Sequence, residues 1–134
     1  AQLARPGKQV IALLGDGGMG VAGWDIETAA RYRIPACYLL FNNSSWMGYA
    51  AQQMILPQDV KNCDWGMLPD IRYDKIFAEM GCHTELVTEP QHLRPALERA
   101  FNSGKTSVIN VIPDKTVVAP QLYGRIEYYK QLFG

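Results

Sequence analysis

The chain has 134 residues, 48% of them hydrophobic, and 13 basic and 13 acidic side chains that cancel to a formal net charge of zero. That composition supplies the core of one ordinary globular domain, and the lack of any basic run argues against nucleic acid or a membrane surface held by charge. No apolar stretch, Val10 to Leu14 included, is nearly long enough to span a bilayer, and no signal-peptide pattern is present.

In chain order, residues 1–8 have no initiator Met and read as the last turn of a helix closed by Pro6-Gly7, as if cut from a longer polypeptide. Gln9–Leu14 is a short apolar run entering glycines, which predicts a buried parallel strand ending in a binding turn. Val21–Tyr32 has helical spacing and stops at Arg33-Ile34-Pro35; Ala36–Phe41 is a second buried strand, followed by Asn42-Asn43-Ser44-Ser45. Residues 46–70 lack periodicity, and a connection that long inside a compact domain is usually functional. Tyr73–Met80 predicts a helix with Ile76, Phe77 and Met80 on one face, stopped by Gly81.

Thr84–Val87 is a short strand, and Glu89–Ser103 a helix with the stripe Leu93, Leu97, Ala100, Phe101. Ser107–Ile112 is a further strand, and the tail closes with a short aromatic helix around Ile126–Phe133. The alternation predicts an α/β fold: a doubly wound, mainly parallel sheet with helices on both faces and ligands at the strands' carboxyl ends. The expected division is a domain over 1–116 and a tail over 117–134. Cys37, Cys63 and Cys82, an odd set without CxxC spacing, read as reduced thiols of a cytoplasmic protein.

Gly15–Gly20 (GDGGMG) satisfies the dinucleotide pattern G-x-G-x-x-G, yet two details oppose that reading. The second strand ends in Phe41-Asn42, with no acid to hold a ribose. Asp16 also stands within the glycines, where a bare carboxylate repels a pyrophosphate. Two unit charges ~4 Å apart interact by roughly 4 kcal/mol at the effective dielectric of a protein surface, and glycine amides offset only part of that. A divalent cation between carboxylate and phosphates reverses the sign. Mg²⁺ takes one or two protein oxygens plus phosphates and water, and Asn42-Asn43 brings neutral amide oxygens to the same sheet edge.

G-D-G followed by N-N, with Asn43 lying 27 residues after Asp16, resembles the signature of thiamine-diphosphate enzymes. The stretch GDGGMGVAGWDIETAARYRIPACYLLFNNSSW is similar to the acetolactate synthase, benzaldehyde lyase and 2-hydroxyacyl-CoA lyase group, and the likeness continues through Arg72–Gly81, Pro95–Ala100 and Val108–Val111. It implies the diphosphate-binding, C-terminal domain of such an enzyme, truncated at its N-terminal side. Carried over, it implies that Asp16, the Asn43 side-chain oxygen and the Ser45 backbone carbonyl hold Mg²⁺. The Gly17 and Gly18 amides would take the diphosphate of thiamine diphosphate, and Gly15 and Trp46 complete the cofactor-binding set. Gly18 departs from the group, where Ser is common.

The same resemblance implies that a glutamate activating the cofactor comes from another domain of a neighbouring subunit, in a homodimer or homotetramer. No catalytic residue is then expected in this chain, which alone should be inactive. The implied activity is cleavage or formation of a carbon–carbon bond next to a carbonyl, on a small-molecule or acyl-CoA substrate. Ser44-Ser45 after N-N and Arg72-Tyr73-Asp74 tilt it toward a 2-hydroxyacyl-CoA lyase-like lyase; an acetolactate synthase-like transferase is the close alternative. A nucleotide-binding oxidoreductase domain and a non-catalytic module of the same fold are the other two.

Trp46, Met47 and Tyr49 either line the substrate pocket or pack the loop. Asn42 reads as a turn residue, Glu27 as a pairing one, and His83 and His92 lack the company a zinc site requires. The tail helix, with Ile126, Tyr129, Lys130 and Phe133 on one face, is too short to stand alone in water and is either a structural cap or a lid.

Overall fold

In the computed structural model, residues 1–46, 68–115, 117 and 120–133 are described. Four strands, β1 (Ile11–Gly15), β2 (Cys37–Phe41), β3 (His83–Val87) and β4 (Ser107–Val111), form one parallel sheet in the order β1-β2-β4-β3. Around it run α1 (Asp16–Ala22), α2 (Asp25–Arg31), α3 (Tyr73–Glu79), α4 (Leu93–Asn102) and α5 (Pro120–Phe133). Parallel neighbours need crossovers, and helices supply them.

The two inner strands carry the core, because a strand covered on both faces is built mostly from apolar residues. On one face Met19, Ile26, Tyr73, Phe77 and Cys82 pack on Leu40 and Val108; on the other, Ala96 and Ala100 of α4 pack on Cys37, Leu39, Ile109 and Val111. Val108, Ile109 and Leu40 are fully buried, and each such side chain contributes roughly 2 kcal/mol of transfer free energy. Cys37 is buried at the start of β2, between Ile11 of β1 and Ser107 of β4.

Register sets the working edge. Gly15 lies beside Phe41, Phe41 beside Val111, and Val111 beside Val87. All four strands therefore end level, and the segments that follow them emerge at one rim.

Several expectations change in detail. β1 was expected to be buried; among the described residues it is an edge strand, with Ile11 43% and Leu13 69% exposed. The reason is that α4 covers β2 and β4 on that face but does not reach β1. The glycine-rich segment is not a separate turn: Gly15 ends the strand and Asp16 is already the first residue of α1. The single helix expected over Val21–Tyr32 is two, because the Gly23 and Trp24 carbonyls accept i+3 amides from Ile26 and Glu27, both at 3.0 Å, and tighten the chain there.

At α3, Phe77 is buried as expected but Ile76 is 37% exposed, and Tyr73 and Asp74 take the inner places. The tail helix starts at Pro120 rather than near Ile126; proline suits a first helical turn, where its missing N–H would have no partner. Residues 1–8 form turns rather than a helix end, with one helical-type bond from Arg5 N–H to the Ala1 carbonyl at 3.1 Å. No helix among the described residues is long and apolar enough to cross a membrane.

Candidate functional site

The site grows from the rim after β1 and β2. β1 runs straight into α1, so Asp16 stands at the start of a helix and is almost fully buried. Its two carboxylate oxygens are oriented by different segments: the Gly17 N–H donates to Oδ1 at 3.0 Å, and the Ser45 N–H donates to Oδ2 at 2.9 Å. That second bond spans 29 positions and joins the G-D-G segment to the segment that follows N-N. Charge-assisted bonds of this kind are about twice as strong as neutral ones, which is why a carboxylate tolerates this burial.

After β2, Asn42 is buried and anchors the turn: its Nδ2 donates to the Ile71 carbonyl at 2.8 Å, and its Oδ1 accepts the Ser44 N–H at 3.3 Å. Ser44 has φ 55°, a left-handed conformation rare for any residue with a Cβ. Asn43, half-buried, has no side-chain hydrogen bond recorded among the described residues. Trp46 lies against the glycine segment, since a Cβ added to Gly17 would sit 3.5 Å from Trp46 Cγ. At Gly15 and Gly18 such a Cβ would meet nothing within 4 Å, so the space before the helix start is open. Met47 and Tyr49 lie outside the described residues.

This donor set suits a hard cation bound together with phosphate. It offers one buried carboxylate, each of whose oxygens keeps a lone pair, a neutral amide and backbone carbonyls. Among the described residues no group of three or more His, Cys, Asp and Glu side chains is placed to hold a metal.

Residues 1–111 match the family model described as "Thiamine pyrophosphate enzyme, C-terminal TPP binding domain". The chain belongs to this family. Among curated relatives it is 38% identical over 122 residues to a probable acetolactate synthase of Mycobacterium bovis, covering 90% of this chain and 22% of that protein. It is 32% identical over 117 residues to a 2-hydroxyacyl-CoA lyase of Oryza sativa subsp. japonica, covering 85% and 20%. Among solved structures, a thiamine diphosphate-dependent 4-hydroxybenzoylformate decarboxylase of Rhodococcus jostii RHA1 superposes with a TM-score of 0.73 at 25% identity, over 85% of this chain and 21% of that one. The chain thus spans about a fifth of the length of the relatives it matches.

As a thiamine pyrophosphate enzyme domain, the chain places beside Ser44 at the same rim two side chains, Asp70 and Lys115, that sequence reasoning did not single out. Ser44 Oγ donates to Asp70 Oδ1, and Lys115 Nζ donates to both Ser44 Oγ at 3.1 Å and Asp70 Oδ1 at 2.7 Å. Lys115 and Ser44 together hold the Asp70 carboxyl below the usual carboxylate range. No short-range pattern marks this cluster, because its members lie 26, 45 and 71 positions apart. Glu27 pairs with Arg31 one turn along at 3.0 Å, and His83 Nε2 lies 3.0 Å from Glu85, which also takes the Arg99 guanidinium.

Proposed function

We propose that the protein carrying this chain uses thiamine diphosphate and Mg²⁺ to break or form a carbon–carbon bond next to a carbonyl. The observation that carries the reading is the Ser45 N–H bond to the Asp16 carboxylate, which unites the two halves of the G-D-G…N-N pattern. Asp16, the Asn43 side-chain oxygen and the Ser45 carbonyl hold the cation, and the cation turns the repulsion between Asp16 and a diphosphate into attraction. The Gly17 and Gly18 amides at the start of α1 donate to the diphosphate, Gly15 leaves its approach open, and Trp46 walls the site beside Gly17. When bound, thiamine diphosphate supplies an electron sink for the carbon–carbon chemistry. This chain's own contribution is to bind and orient.

In this reading the remaining domains and an activating glutamate come from elsewhere in a cytoplasmic homodimer or homotetramer, and the isolated chain turns nothing over. The 2-hydroxyacyl-CoA lyase-like activity is supported by Ser44-Ser45 and Arg72-Tyr73-Asp74 and by the 32% identity to such a lyase. The acetolactate synthase-like activity is supported by the 38% identity to a probable enzyme of that kind. Aldehyde released from a 2-hydroxyacyl-CoA supports the first; acetolactate formed from pyruvate supports the second. The test of the site is Asp16→Ala in the intact protein: calorimetry is expected to find no thiamine diphosphate binding at any practical Mg²⁺ concentration, and undiminished binding overturns the metal assignment.

A further inference from the structure

Ser44 stands between Asn43 and Ser45, two of the three residues assigned above to the cation, and its backbone is left-handed without being glycine. Such a conformation persists only where the surroundings over-determine it. Here they do. Its N–H donates to Asn42 Oδ1, its carbonyl accepts the Leu68 N–H at 2.9 Å, and its hydroxyl donates to Asp70 while accepting from Lys115. Asp70 arrives just before α3 and Lys115 just after β4, so the turn is gripped from two separate segments of the same rim.

The exposure of the pair decides what the grip is for. The Lys115 and Asp70 side chains are 40% and 82% exposed, and ion pairs in that setting add little to stability. What they touch is the turn itself, whose angle fixes how Asn43 and Ser45 stand relative to Asp16.

We propose that Lys115 and Asp70 are positioning residues, a clasp that holds Ser44 left-handed so that Asn43 and Ser45 meet the divalent cation together. The proposal rests on the metal reading given above. Outer contacts that orient metal ligands commonly carry about ten- to a hundredfold in affinity, and an exposed clasp belongs at the lower end of that range.

The experiment counts free Mn²⁺ by electron paramagnetic resonance in the intact protein with thiamine diphosphate present, alongside the thermal midpoint of the metal-free protein. Lys115→Met and Asp70→Ala are each expected to weaken Mn²⁺ binding about tenfold. The double variant should be no weaker than either single, Lys115→Arg should restore wild-type affinity, and metal-free midpoints should stay unchanged. Wild-type affinity in both single variants overturns the clasp, as does a fully additive double variant or a loss matched by a lowered metal-free midpoint. Asp16→Ala separates the two ideas. If it abolishes Mn²⁺ binding while the clasp variants bind normally, only the clasp falls; if it binds Mn²⁺ normally, the metal reading falls and takes the clasp with it.

Discussion

Gly18 occupies the first turn of α1 with open space where a side chain would go. Serine at that position improves helix propensity by about 0.5 kcal/mol and sets a hydroxyl beside the proposed diphosphate. Gly18→Ser is therefore expected to bind thiamine diphosphate several-fold more tightly by calorimetry; unchanged or weaker binding would show that the hydroxyl does not reach the phosphates. At this scale the sequence was informative where chemistry is written in residue type. Asp16 among glycines and Asn43 at a strand end are what raise the expectation of a cation between carboxylate and phosphate. Ser44 was illegible, because serine carries no mark of a left-handed backbone and its reasons lie in Asp70 and Lys115, far along the chain.

Helix α3 owes its seating to a polar contact rather than to its apolar stripe alone. Asp74 is buried in its first turn, accepts the Asn110 Nδ2 at 2.9 Å from the middle of β4, and takes the Arg72 guanidinium through both oxygens. The Arg72 bonds, with Asn110 helping, hold the Asp74 carboxyl below its ordinary range. A depressed carboxyl stabilises the fold above the unfolded-state value of about 3.9, and that stability is lost as pH falls through the lower folded value. Asp74→Asn should accordingly cost about 2 kcal/mol near neutrality. The deficit should shrink as pH drops through the carboxylate range, as read by urea unfolding at a series of pH values. A deficit constant with pH would mean that the charge is not what matters. Pattern reading put Ile76 on the inner face and passed over Asp74, since an acidic residue in a first turn normally faces water. Its burial follows from Asn110, a polar residue set among Val108, Ile109 and Val111, and no local spacing connects the two.

Across the whole molecule, the alternation of short apolar runs and helical stretches is enough to give the parallel α/β sheet, and the flush strand ends put the site where such sheets hold ligands. Covering was the illegible part. β1 reads as buried from its own residues, but burial depends on a neighbour that its sequence does not name. Ile11 and Leu13 of β1, and Phe41 at the end of β2, stay partly open beside α4, whereas β4 and the rest of β2 are covered on both faces. That contrast gives the molecule an internal clock. Cys37, sealed at the base of β2, has its thiol pushed up to about 11 by burial, so at pH 8 it is both out of reach and protonated, doubly inert toward alkylating reagents. Peptide-mapped iodoacetamide labelling of Cys37 should therefore advance only as fast as the central strands separate, and should accelerate in step with added urea. Labelling at the rate of a free thiol in native buffer would mean that the sheet's centre breathes open without unfolding.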